Sequence, residues 1–183
     1  MNQFGILRSI ADNEVELMRE WRNWPAVRAN MYTQHEISQE EHLVWWEKSK
    51  VRTDQKYFMY ELEGAAQGIA NFTGIDIQHQ NSAWAFYASP SAKIGTGSKM
   101  EFLMLEYAFD KLQLHKLYCE VLAFNTSVIK LHQKFGFNIE GVFRAHHKMN
   151  ENFVDIYRLG ILASEWREHR QAMYEKLTKQ TRA

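Results

Sequence analysis

One cysteine, two prolines and no excess of either charge already narrow what this chain of 183 residues does. Cys119 has no second cysteine with which to close an internal disulfide, which suits a reducing compartment. With so few prolines and no Gly/Ser-rich stretch there is no linker, so residues 1–183 read as a single domain. Lys plus Arg and Asp plus Glu stand at 22 each, so no global positive field draws in nucleic acid, and no nucleic-acid partner is expected. No apolar run approaches the ~18 residues that span a bilayer, and the amino-terminal residues lack a basic-then-apolar leader pattern. A cytoplasmic protein with no membrane partner is therefore expected. The eight histidines fall into no ligand spacing, and His146 and His147, adjacent on a predicted strand, point to opposite faces, so no metal is expected.

What the chain does have is 45% hydrophobic residues, enough for one substantial core. Periodicity and turn residues predict a strand from Phe4 to Arg8, a helix from Val15 to Trp21, an irregular arm through Thr33 and a helix from Gln39 to Lys48. Strands follow at Tyr57–Leu62, Gln67–Ile75 and Ala83–Tyr87, then a long helix through Leu112 that is buried nearly all round. The second half reads as a strand from Leu117 to Leu122, a short helix, strands at Asn138–His147 and Phe153–Leu159, and a helix from Ser164 that is expected to be the least ordered part. A mixed sheet with helices on its faces accommodates this order.

Two segments carry chemistry. Lys93-Ile94-Gly95-Thr96-Gly97-Ser98 is a glycine loop between a buried strand and the long helix. Bare backbone N–H groups at a helix N-terminus favour a phosphate, the two glycines admit a pyrophosphate closely, and Lys93 adds a mobile positive charge. Asn125 through Phe137 reads as a short capped helix: the Asn125 side chain suits the N-cap, and Gly136 suits the left-handed position after the last turn. Its apolar stripe of Val128, Ile129, Leu131 and Phe135 leaves His132 to face something else. Cys119, on the preceding strand, alternates with Glu120. It reads as a small buried residue rather than a nucleophile, since no histidine lies near it in sequence.

In this order the segments resemble motifs A and B of the GNAT family of N-acetyltransferases. The resemblance implies an α+β fold with a central mixed, mostly antiparallel sheet of about seven strands, helices on both faces and a splay between the fourth and fifth strands. It implies acetyl-CoA as acyl donor, held by Phe86, Tyr87, Ala88, Lys93, Ile94, Gly95, Thr96, Gly97, Ser98, Asn125, Ser127 and Lys130. The family loop usually reads Gln/Arg-x-x-Gly-x-Gly/Ala, and here Ala92 occupies the first position. The family often places a thiolate-protonating Tyr seven residues after the Asn, and here that position is His132. The catalytic residues so implied are His132, protonating sulfur or merely hydrogen-bonding the pantetheine, and Glu120, relaying the amine proton through water. The oxyanion donor would be a backbone N–H on the Trp84–Tyr87 strand or just after it.

The N-terminal block narrows the resemblance. Trp21-Arg22-Asn23-Trp24-Pro25, Val27-Arg28, Met31 through Ile37, His42, Asn71 through Asp76, Glu140 through Arg144 and Asp155-Ile156-Tyr157 are similar to family members that acetylate the 4-amino group of UDP-4-amino-4,6-dideoxy-N-acetyl-β-L-altrosamine. That is the acetyl-transfer step in making pseudaminic acid, a sugar used on bacterial flagellins. A small-molecule nucleotide-sugar substrate would then meet Arg22, Met31, Tyr32, His42, Thr73 and Tyr87, with Phe72 and Trp84 as walls. The alternatives are a ribosomal-protein N-terminal alanine acetyltransferase and a non-catalytic CoA-binding module. A homodimer is compatible with all three.

Overall fold

The computed structural model describes residues 3–182. Its first strand, β1 (Ile6–Arg8), leads through a 3-10 turn into α1 (Val15–Asn23), α2 (Pro25–Arg28) and α3 (Gln39–Ser49). Local chemistry sets these starts. Pro25 stands in the first turn of α2, where its missing N–H costs nothing, and the Ser38 hydroxyl caps α3 by accepting the Glu41 N–H. The predicted arm is thus not wholly irregular, because Pro25 pre-sets a helical turn inside it.

Three antiparallel strands follow: β2 (Gln55–Leu62), β3 (Ala65–Asp76) and β4 (Asn81–Ala88). Glu63 and Gly64, both at positive φ, make the tight turn that joins β2 to β3. Beyond β4 lie α4 (Thr96–Glu106), β5 (Lys116–Leu122), α5 (Thr126–Lys134), β6 (Asn138–Met149), β7 (Asn152–Leu162) and α6 (Ala163–Arg182). The long helix predicted through Leu112 is regular only to Glu106. It then widens into a π-helical turn, Tyr107–Lys111, whose first two carbonyls accept the Leu112 and Leu114 amides.

The sheet runs β1-β2-β3-β4-β5-β7-β6, mixed and mostly antiparallel, as the resemblance implied. Strand alternation distributes its two faces. Phe58, Tyr60, Ala70 and Phe72 join α4 and α6 in the larger core with Met100, Phe102, Met104, Leu105 and Trp166. Met59 and Ile69 turn the other way and pack on Val15 and Met18 of α1 and Trp46 of α3. The C-terminal helix is not the loose element expected from its terminal position. Trp166, Met173 and Leu177 form a buried seam, and Trp166 also donates its indole N–H to Glu106 at 3.0 Å. No helix among the described residues is long and apolar enough to cross a membrane.

The feature that positions the site is the one parallel pairing. β4 and β5 pair only at Asn81↔Lys116, Ser82↔Leu117 and Ala83↔Tyr118, and then part. β4 stays bonded to β3 as far as Ala88, and β5 stays bonded to β7 as far as Leu122. The facing edges, from Trp84 and from Cys119 onward, are left with backbone groups that need a partner from outside the sheet.

Candidate active site

A cavity of about 330 Å³ fills this splay. Ala85, Phe86, Tyr87 and Ala88 form one wall, Cys119, Glu120 and Val121 the other, and Asn125, Ser127, Val128 and His132 of α5 close one side. Ala26, Val27 and Met31 reach over from the arm. Gly95 caps α4 in the left-handed region at φ +92°, and a Cβ built there meets nothing within 4 Å, so the loop is open on that side. A Cβ at Gly97 would lie 3.4 Å from Phe86 and 3.6 Å from Leu131, ordinary contact distances, so the packing of α4 alone does not require a glycine there. Thr96 is buried and Ile94 fully exposed. Ser98 lies in the first turn of α4, and Lys130 is exposed on α5 outside the cavity. Lys93 sits 3.6 Å from Glu63 in an exposed ion pair, a contact weak enough to leave for a better anion.

One expectation about α5 is corrected. The Asn125 side chain caps no backbone N–H: its Oδ1 instead accepts the Ser127 hydroxyl at 3.2 Å, and its carbonyl accepts the Val128 and Ile129 amides. Asn125 lines the cavity. The other end is as expected. Gly136 sits at φ +99°, with its N–H to Gln133 and that of Phe137 to His132, a Schellman closure.

His132 is only 3% exposed, and its Nδ1 lies 2.9 Å from Oε1 of Glu101 on α4, a carboxylate with no exposure at all. Trp84, Phe86 and Phe137 surround the imidazole, with ring centroids at 5.2, 6.2 and 5.2 Å. Burial pushes the imidazole down, but the Glu101 charge and the Cys119 side chain outweigh it and hold His132 up at about 10. Burial pushes the Glu101 carboxyl up against the opposing pull of His132. The pair therefore keeps a proton across neutral pH. For His132 the folded state holds more protons than the unfolded one, so its contribution to stability is full below about 6.5 and is lost as pH rises through about 10. The neighbour missing in sequence around Cys119 is thus supplied by the fold, which brings His132 beside it.

Glu120, on the opposite side of β5 from Cys119, has both oxygens engaged. Tyr32 donates its hydroxyl to Oε2 at 2.9 Å and Arg158 of β7 donates to Oε1 at 2.9 Å. Arg158 also lies 3.5 Å over the Tyr118 ring, and Tyr32 packs on the His147 ring at 5.1 Å. The arm is thereby tied across the sheet. Burial and Glu120 together push the Tyr32 phenol up, so it stays a donor.

A second cavity, about 340 Å³, lies on the arm side and shares Met31, Ala85 and Tyr87 with the first. Its walls include Arg22, Glu41, His42, Trp45, Tyr57 and Asn71. Arg22 donates to the Thr33 carbonyl at 3.4 Å through Nη2, while its Nη1 is buried without a partner. Burial pushes both Arg22 and His42 down, which leaves the His42 imidazole neutral near pH 7. The Tyr87 hydroxyl donates to the Met18 carbonyl at 3.2 Å.

Of the residues singled out from sequence, Tyr32 lines neither cavity and bonds instead to Glu120 on the wall of the first, while Arg22, Met31, His42 and Tyr87 line the second. Thr73 does not: it lies beyond both cavities, its carbonyl accepting the Ser82 hydroxyl, and Asn71 lines the wall instead. Phe72 is fully buried among Phe58 and Tyr107 rather than forming a wall, whereas Trp84 does line the splay. Sequence reasoning missed Glu101, Arg158, Trp45 and Asn71. Only Glu101 left a signal, as a carboxylate inside a helix read as buried all round.

Comparison with known proteins gives one consistent picture. The family model described as "Acetyltransferase (GNAT) domain" matches residues 7–157. The chain is 31% identical over 126 residues to the acetyltransferase PseH of Campylobacter jejuni subsp. jejuni serotype O:23/36 (strain 81-176), a match covering 69% of this chain and 78% of that protein. It is 23% identical over 175 residues to the spermidine N(1)-acetyltransferase of Escherichia coli (strain K12), covering 93% and 87%. Among solved structures, the spermidine N-acetyltransferase from Vibrio cholerae in complex with CoA and spermine shares the fold at a TM-score of 0.84 and 21% identity, covering 90% of this chain and 99% of that one.

Proposed function

This chain belongs to the GNAT acetyltransferases and uses acetyl-CoA, and on that premise we propose that its acceptor is the 4-amino group of a UDP-4-amino-4,6-dideoxy-N-acetyl-altrosamine, acetylated on the way to pseudaminic acid. The observation that carries this reading is Arg22. A guanidinium with a buried, unpartnered Nη1 in the acceptor-side cavity is a receptor for an anion such as a diphosphate. It opposes a polyamine, whose charges need carboxylates. The one acid on that wall, Glu41, already accepts from His35 at 3.0 Å. The relative named PseH supports the sugar, and the strap from Tyr32 to Glu120 narrows the passage against an extended peptide.

The splay fits a pantetheine arm, because its unpaired backbone edges ask for an amide-bearing ligand, and the N-terminus of α4 at Gly95 to Ser98 suits the phosphates. Acetyl-CoA supplies the activated acetyl thioester and a thiolate leaving group. Free N–H groups on the Trp84–Ala88 edge serve as oxyanion donors, with Asn125 and Ser127 at the wall. His132 holds the proton for sulfur. Glu120, oriented by Tyr32 and Arg158, takes up the amine proton through water.

Titration calorimetry tests the acceptor cavity without turnover. UDP is expected to bind the unliganded chain and spermidine to give no heat; the reverse would assign the cavity to a polyamine.

A further inference from the structure

α4 is a helix of apolar packing with one exception. Met100, Phe102, Met104 and Leu105 are all at 3% exposure or less, and Glu101 among them has none. A carboxylate in such a place costs several kcal/mol, and nothing in the packing of α4 on the sheet calls for it. Its Oε2 has no hydrogen-bond partner, so its one hydrogen bond is the 2.9 Å contact of Oε1 with Nδ1 of His132. A single contact between two buried groups, on two helices that both begin at the donor cleft, is the arrangement of an imidazole and its orienting acid.

We propose that Glu101 is a positioning residue for the proton donor of the reaction: by accepting from Nδ1 it fixes the His132 ring and tautomer and keeps a proton at Nε2 on the wall of the cleft. The inference rests on the reading of His132 as the acid. The titratable groups facing the imidazole are Glu101 from α4 and Cys119 from β5, while Lys134, in the last turn of α5, acts on Glu101. β4 and the residue after α5 contribute only the rings of Trp84, Phe86 and Phe137. Two side chains hold the proton on this histidine, the Glu101 carboxylate first and Cys119 after it. The position of His132 at about 10 agrees with that.

Glu101→Gln keeps an acceptor for Nδ1–H in the same shape and removes the charge, and Glu101→Asp keeps the charge. NMR titration of the His132 ring in the unliganded protein, beside kcat against pH, reads both. In Glu101→Gln the His132 titration should move down by about three pH units, so kcat should fall about tenfold at pH 8 while approaching wild type near pH 6. Glu101→Asp should restore much of the titration. An unmoved His132 titration in Glu101→Gln, or a rate lowered equally at every pH, would make Glu101 a packing residue and overturn the proposal. Wild-type turnover in His132→Gln would instead remove the acid reading itself, a separate result from the NMR titration.

Discussion

Arg22→Met should raise the KM for the nucleotide sugar by about 10- to 100-fold and leave the KM for acetyl-CoA unchanged. The magnitude follows from the net worth of a hydrogen bond to a charged group, about 1.5–3 kcal/mol, at about 1.4 kcal/mol per tenfold. The direction follows from geometry. Arg22 lies in the acceptor-side cavity and not in the splay, so it has no means of touching the donor. Methionine keeps the aliphatic stem packed where the guanidinium now stands, and it removes a buried cation that has only the Thr33 carbonyl at 3.4 Å. The unliganded variant should therefore melt at or above the wild-type temperature. Steady-state kinetics with each substrate varied, beside a thermal melt, separates the outcomes: equal loss for donor and acceptor would mean that Arg22 holds the fold.

His132→Gln should lower kcat by about 100-fold at pH 7 with little change in acetyl-CoA affinity, the size usual for loss of one proton-transfer group. Glutamine is the informative replacement. Its amide still donates to Glu101, whereas His132→Phe would sit well among Trp84, Phe86 and Phe137 yet strand a carboxylate that has no exposure. Breaking a buried pair from one side costs about 3–5 kcal/mol, so the phenylalanine variant should be destabilised as well as slow. Single-turnover rates paired with calorimetry of acetyl-CoA check the claim. An unchanged rate across pH would assign His132 to packing.

The elements that carry the proposed donor half of the site were legible because their signals are local. A glycine loop before a helix and a glycine after one announce themselves in a few residues, and Gly95 and Gly136 adopt the left-handed conformation that such positions need. The acceptor half depends on register and burial. Glu120 meets Arg158 because β5 and β7 pair with those residues opposite each other, which no local pattern in either strand announces. Tyr32 reaches Glu120 from 88 positions away, once a helical turn at Pro25 has redirected the arm. The α6 helix was expected to be loose because it is terminal and its apolar residues are few. Three of them, at positions 166, 173 and 177, nevertheless fall on one face and close the core. Asn125 was read as a side-chain N-cap, but its Oδ1 accepts the Ser127 hydroxyl and no helical N–H.

The most direct test is free-thiol release from acetyl-CoA with three acceptors run in parallel: the UDP-4-amino-altrosamine, spermidine and an alanine-ended peptide. Turnover on the nucleotide sugar, with the other two at background, is the expected result. Turnover on spermidine or the peptide with the sugar inert would contradict it, leaving the donor site intact and overturning the acceptor; no turnover on any amine would favour a domain that binds CoA without catalysis.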